Sequence, residues 1–234
     1  MEYFELWRGG VRLIKTEKAM PVTTDSVLLG DFASLPRGGS FCDLGCGGGI
    51  LALTLLYRYP KASAALVELD EEACRVAQEN IALNGVEERA EVVNCDLRDF
   101  RGRYQLVISN PPYFPISGGQ SESDARNAQR LEKSASLEDV ADAAARLLGD
   151  GGRFAFVYPA QRLSEAMTAL TLRRLEPKRL RLVQARLDAR PSVFLMECVK
   201  SGRPGLVVEP ALILRNVDGS DTDEARKIYH LGEE

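Results

Sequence analysis

Short apolar runs alternate with longer stretches of helical period through most of the chain, and this alternation constrains the fold more than any other feature. Residues 40–44 (SFCDL) read as a buried strand, and a glycine cluster follows. Residues 50–59 (ILALTLLYRY) read as a helix that Pro60 stops. Residues 64–69 (AALVEL) read as a second strand. The helix at 70–84 has acids in its first turn and Asn84-Gly85 at its end, as capping favours. Strands at 90–94 and 104–109 follow. Residues 136–148 form an amphipathic helix with Leu137, Val140, Ala144 and Leu147 on one side, and Ser136 and Asp139 stand at capping-box spacing. The glycines at 149, 151 and 152 turn the chain into a strand at 153–158. A helix over 161–173 and two last strands, 179–186 and 192–200, complete the pattern. Strands alternating with helices predict an α/β fold, a parallel sheet with helices on both faces and right-handed crossovers.

The 234 residues suit one domain. We expect a leader over 1–35, a catalytic core over 36–202 and a tail over 203–234 that packs on the sheet edge. With 45% hydrophobic and 27% charged residues, the balance is that of a globular protein able to bury a core. No apolar run reaches the ~18 residues of a membrane span, and the acidic N-terminal stretch does not read as a secretory signal. Cys42, Cys46, Cys74, Cys95 and Cys198 form no CxxC pair and have no zinc-type partners. They read as reduced thiols of a cytoplasmic protein. The only histidine, His230, lies near the end of the chain. That disfavours a Ser-His-Asp hydrolase and a multi-histidine metal enzyme, and no metal is expected. A net charge of −4 argues against indiscriminate nucleic-acid binding. The charge is uneven, however: residues 172–190 hold seven Lys/Arg against two Asp/Glu. That stretch is either a solvated face or a surface for an anionic partner.

The glycine cluster carries the first functional signal. In the run 43–49 (DLGCGGG), Gly45, Gly47 and Gly49 let the backbone approach a ligand, and the following helix offers free N–H groups. A dinucleotide enzyme places pyrophosphate at this point with GxGxxG spacing. Here the spacing is GxGxG, and Asp43 would repel a pyrophosphate but favour an amine or a sulfonium. Glu68 ends the next strand, where a carboxylate can accept both ribose hydroxyls of an adenosine. The constellation DLGCGGG…VELD resembles the cofactor site of class I methyltransferases that use S-adenosylmethionine. The resemblance implies a Rossmann-like, mostly parallel seven-stranded sheet with an antiparallel C-terminal strand. It also implies that Asp96, with the neighbouring backbone amide at Leu97, reads the adenine edge.

The second signal is residues 109–113 (SNPPY), at the carboxyl end of the fourth strand. NPPY there resembles the catalytic motif of methyltransferases that act on planar, amide-like nitrogens. A conjugated exocyclic amine has little free lone pair. When both of its N–H bonds are donated to fixed acceptors, the nitrogen can become tetrahedral and turn its lone pair to the methyl group. The resemblance makes the Asn110 side-chain oxygen one acceptor and the Pro111 carbonyl the other. Pro111 and Pro112 pre-set both. Tyr113, and Phe114 beside it, offer a face on which a base stacks. A base in a polynucleotide must be unstacked or already lie in a loop.

The segment 19–30 (AMPVTTDSVLLG), the ending 190–214 and a late Thr-Asp-Glu…Ile-Tyr resemble a bacterial group that methylates N6 of the adenine next to the anticodon in a valine tRNA. In that group the leader lies over the methionine part of the cofactor, which makes Thr24 and Asp25 candidate contacts. The bland alternative is a helix that packs Val27, Leu28 and Leu29. Arg126 and Arg130 in the polar stretch after NPPY, and Arg179 and Arg181 in the basic stretch, are candidate tRNA contacts. Arg126 and Arg130 match the group's pattern only loosely. A monomer is expected. Two other readings remain open: methylation of another planar amine (guanine N2 in ribosomal RNA, adenine N6 in DNA, a protein glutamine), and a non-catalytic cofactor-binding scaffold.

Overall fold

In the computed structural model, which describes residues 2–15, 24–36, 38–111 and 135–231, nine strands of the described residues form one sheet, eight of them in the order β10-β8-β9-β7-β6-β3-β4-β5 and the ninth, β11, beside β8. The central strand β3 (Ser40–Leu44) pairs in parallel with β4 (Ser63–Glu68) on one side and β6 (Tyr104–Ser109) on the other. β5 (Ala90–Asn94) continues from β4, and β7 (Leu148–Pro159) from β6, both in parallel. β9 (Val193–Lys200) runs antiparallel between β7 and β8 (Leu175–Gln184). These are the seven expected strands, antiparallel member included. The short β10 (Val207–Val208) and β11 (Leu212–Ile213) both pair in parallel with β8, so the tail widens the sheet at that edge.

Strand alternation sends apolar side chains to both faces, and helices cover both. Phe41, Leu66 and Ile108 enter one core with α1 (Thr24–Phe32), α2 (Ile50–Arg58) and α3 (Glu71–Leu83). Cys42, Val67 and Val107 enter the other with α4 (Leu137–Leu147) and α5 (Leu163–Thr171). The helix ends follow local chemistry. Asp70 caps α3 by accepting from the Ala73 N–H, and Ser136 with Asp139 makes the capping box of α4. Thr222 caps α6 (Asp223–Ile228) and also donates to the Ile213 carbonyl at 2.7 Å, fastening the tail to itself. No described helix is long and apolar enough to cross a membrane.

Three features differ from the sequence expectation. First, the glycines at 149, 151 and 152 do not separate elements. They form a bulge inside β7, where Leu148 pairs with Tyr104 and Arg153 with Leu106, and Gly151 supplies φ +80° for the excess residues. Second, β8 begins at Leu175, ahead of the expected 179, because Leu175 pairs with Lys200 and is fully buried. Third, the leader contains an antiparallel hairpin, β1 (Tyr3–Glu5) and β2 (Arg12–Ile14). Its β2 edge is satisfied by α3. The Arg12 N–H donates to Asn84 Oδ1 and the Ile14 N–H to Asn80 Oδ1, each at 2.9 Å. His230 stacks on Trp7 of this hairpin, ring centres 4.4 Å apart, so the histidine joins tail to leader.

Candidate active site

The carboxyl ends of β3, β4 and β6 lie side by side, which brings the sequence candidates together. Asp43 pairs with Leu66 and Ile108 across the sheet, and Glu68 with Asn94. Ser109 is fully buried and donates from its hydroxyl to the Leu44 carbonyl at 2.8 Å. That bond fastens the end of β6 to the end of β3. Asn110, half-buried, and Pro111, buried, therefore emerge beside the glycine loop.

The loop is built by positive φ at alternate glycines, +72° at Gly45, +52° at Gly47 and +80° at Gly49. A Cβ at Gly45 or Gly47 would meet no protein atom within 4 Å, so these positions face open space. A Cβ at Gly49 would lie 3.0 Å from Leu66 Cδ2. Gly49 thus lets α2 start against β4, and the other two glycines keep the ligand side clear. The Gly45 and Cys46 N–H groups donate to the Val67 carbonyl at 2.9 and 3.1 Å.

Glu68 does more than end its strand. Its Oε2 accepts the Gly47 N–H at 2.9 Å, and its Oε1 accepts the Leu69 and Asp70 N–H groups at 2.8 and 3.0 Å. A carboxylate offers about four acceptor positions, so three backbone donors leave about one for a ribose hydroxyl. Glu68 is thus the strut of the loop as well as a candidate ligand. Asn80 on α3 is a second strut that the sequence reading did not single out. It is 2% exposed, donates to the Gly48 carbonyl at 2.9 Å and accepts from the Ile14 N–H. A polar residue on the apolar face of α3, one turn from Val76 and Ala77, was the available signal.

Asp43 is 1% exposed, and its Oδ2 has no hydrogen-bond partner among the described residues. Burial pushes its pKa up to about 8. A backbone hydrogen bond from Ala52 opposes the shift, and the nearby charge of Glu68 adds to it. A buried carboxyl with an unused oxygen, next to a second carboxylate, fits a cationic ligand and disfavours a pyrophosphate. The residues present therefore fit S-adenosylmethionine. Asp43 would hold its positive charge, the open side of the glycine loop would admit it, and the remaining acceptor position of Glu68 would take a ribose hydroxyl.

The other candidates are placed as follows. Asp96 is held by Arg98, whose backbone N–H and Nε both donate to Oδ1 at 2.9 Å, and this pairing keeps its carboxyl below the usual range. The Asp96 carbonyl accepts from Asp99 and Phe100, so Asp96 also closes a turn. The Leu97 carbonyl accepts from Arg146 at 2.8 Å. Thr24 is exposed and Asp25 half-buried at the start of α1. The same helix buries Val27, Leu28 and Leu29, so it packs as the bland alternative required. Asn110 Nδ2 donates to Ser26 Oγ of α1 at 3.0 Å, which ties the leader to the end of β6. Pro112, Tyr113, Phe114, Arg126 and Arg130 lie outside the described residues.

Arg179 and Arg181 have internal partners. Arg179 Nε donates to Glu209 at 2.8 Å, Nη1 donates to Ser34 Oγ at 3.1 Å, and the guanidinium stacks 4.3 Å from the centre of the Phe32 ring. Its Nη1 also lies 3.7 Å from Glu197, which is fully buried and paired with Arg153. Arg181 donates to Glu224 at 2.6 Å and to the Pro210 carbonyl at 3.1 Å. Arg173 pairs with Asp142 and Arg186 with Asp188. The basic stretch thus serves chiefly to hold the tail and α4, and the expected tRNA role of Arg179 and Arg181 draws no support from this geometry.

A sheet of this order, with a glycine loop after its central strand and a carboxylate at the end of the next, defines a Rossmann-like class I methyltransferase. In overall structure the chain is similar to a predicted O-methyltransferase from Agrobacterium tumefaciens, with a TM-score of 0.73 and 20% identity over 88% of this chain and 96% of that one. In sequence it is similar to the tRNA1(Val) (adenine(37)-N6)-methyltransferase of Tolumonas auensis, 34% identical over 88% of this chain and 86% of the relative. The protein of the same name from Erwinia tasmaniensis is 34% identical over 86% and 82%. Residues 23–176 match the methyltransferase small domain. The chain belongs to that family and is an S-adenosylmethionine-dependent methyltransferase.

Proposed function

We propose that the chain methylates the exocyclic N6 of an adenine in tRNA, at position 37 beside the anticodon, as the names of its relatives describe for them. The observation that carries the reading is the bond from Ser109 to the Leu44 carbonyl, which sets Asn110 and Pro111 against the glycine loop. When bound, the cofactor supplies an electrophilic methyl group on a sulfonium. The protein's task is to present a nitrogen to it. Asn110 Oδ1 and the Pro111 carbonyl accept the two N–H bonds of the amine, so its lone pair leaves conjugation and faces the methyl carbon. Tyr113 and Phe114 hold the flipped base by stacking. The amine proton becomes acidic only after transfer, when the nitrogen is cationic, so no strong base is required beforehand.

Thr24 and Asp25 would hold the methionine end of the cofactor, and Asp96 with the Leu97 amide would hold its adenine end. Arg126 and Arg130 contact the tRNA. Leader, core and tail act as one catalytic unit in the cytoplasm, where the five thiols stay reduced. The test is methyl transfer from labelled S-adenosylmethionine to separate pools of unmodified tRNA, ribosomal RNA, DNA and protein. Label in tRNA alone, recovered as N6-methyladenosine, supports the reading. Label in guanine or in protein would keep the acceptor chemistry and replace the substrate.

A further inference from the structure

The tie between Asn110 and α1 gives the leader a part in the reaction. Asn110 Nδ2 donates to Ser26 Oγ at 3.0 Å across 84 positions of sequence. An amide carries its oxygen and nitrogen on opposite branches, so an Nδ2 committed to α1 turns Oδ1 away from that helix. A flipped amide would set an N–H against the N–H of the substrate amine, donor against donor. Ser26 itself sits on a fixed element. Gly30 lets α1 press on α2, because a Cβ there would lie 2.7 Å from Thr54 Cγ2. Arg58 donates to the carbonyls of Gly30 and Ala33 at 3.0 and 3.1 Å, which closes the carboxyl end of α1. A group held this way can orient its partner to within the tolerance that a reacting site requires.

We infer that Ser26 is a positioning residue that anchors the Asn110 amide by one branch, leaving the other branch, the oxygen in this arrangement, to the amine being methylated. The inference rests on Asn110 as the acceptor of the amine N–H, not on which RNA carries the amine. The experiment compares Ser26→Ala and Ser26→Thr with the wild-type full chain. It follows single-turnover methyl transfer to unmodified tRNA, calorimetric affinity for S-adenosylmethionine, thermal unfolding, and the side-chain amide resonances of Asn110, assigned by their loss in Asn110→Ala. Ser26→Ala is expected to shift those resonances and slow transfer about fivefold, as loss of one neutral hydrogen bond implies. Cofactor affinity and Tm stay at wild-type values, and Ser26→Thr restores the rate. Unmoved Asn110 resonances in Ser26→Ala, or transfer at the wild-type rate, would overturn the inference. An equal loss of rate in Ser26→Thr would also overturn it. If the wild-type chain leaves tRNA unmethylated, the substrate reading fails instead, and the resonances still decide the role of Ser26.

Discussion

Replacing Asp43 by asparagine should abolish a pH dependence of cofactor affinity that the wild-type site builds in. Asp43 is buried, its Oδ2 has no partner among the described residues, and its pKa is raised from 3.8 to about 8. At pH 6 the carboxyl is about 99% protonated, and at pH 9 about 90% ionised. A cation binds the ionised form, so wild-type affinity rises with pH through this window and binding releases a proton. Asparagine mimics the protonated acid at every pH. The ratio of the variant's Kd to the wild-type Kd should therefore be near one at pH 6 and grow toward about 100-fold by pH 9. Taking the ratio cancels the titration of the cofactor's own amine. Calorimetry at pH 6, 7, 8 and 9, in buffers of different ionisation enthalpy, reads both the affinity and the proton. The sign for stability is opposite. A folded pKa above the unfolded one contributes stability that is present at low pH and lost as pH rises through about 8. Ligand-free Asp43→Asn should thus gain in Tm over wild type as pH rises from about 4 to about 8. A ratio that stays flat over this range would refute the assignment of Asp43 to the positive charge of the cofactor.

Asn110→Ala should lower kcat by about 100-fold or more while S-adenosylmethionine Kd stays within about twofold. A collapse in cofactor affinity, read by calorimetry, would give Asn110 a different role. Arg179→Ala should lower the midpoint of denaturant unfolding, because it strips a partner from buried Glu197 and from Glu209. The cost should stay below the roughly 3–5 kcal/mol of a buried pair broken outright, since Arg153 still faces Glu197. The salt slope of tRNA binding should not change in that variant, and a shallower slope would return Arg179 to the RNA surface. Gly30→Ala should destabilise by about 1–3 kcal/mol through overpacking against Thr54, and Thr54→Ser, which removes the crowded methyl, should recover most of it. No recovery in the double variant would mean that α1 and α2 do not meet there.

What could be read from the sequence was what local pattern determines. The alternation of strand and helix follows from hydrophobic period, and it yielded the individual strands of the core, whereas the antiparallel direction of β9 came only with the resemblance to class I methyltransferases. The glycine loop, Glu68 at the end of β4 and Asn110 at the end of β6 share one sheet edge because parallel strands all end their βα units on the same side. What the sequence could not show was partner choice over long distance. Arg179 and Arg181 look like free cations in a basic run, yet their partners Glu209 and Glu224 lie in the tail. Ser26 and Asn110 meet across 84 positions. The leader hairpin has three-residue strands, too short for a period to show, and its edge is completed by Asn80 of α3 and by Asn84, which caps that helix. Glu68 was legible as a carboxylate at the end of β4, but its three backbone donors depend on the loop already being folded.

The most direct test of the account is to locate the methyl group. An unmodified valine tRNA transcript is incubated with the chain and labelled S-adenosylmethionine, digested, and its fragments sequenced by mass spectrometry. The account predicts one N6-methyladenosine, at position 37, that disappears when Asn110→Ala replaces the wild-type chain. A methyl group on another base, or one that persists in Asn110→Ala, would contradict it.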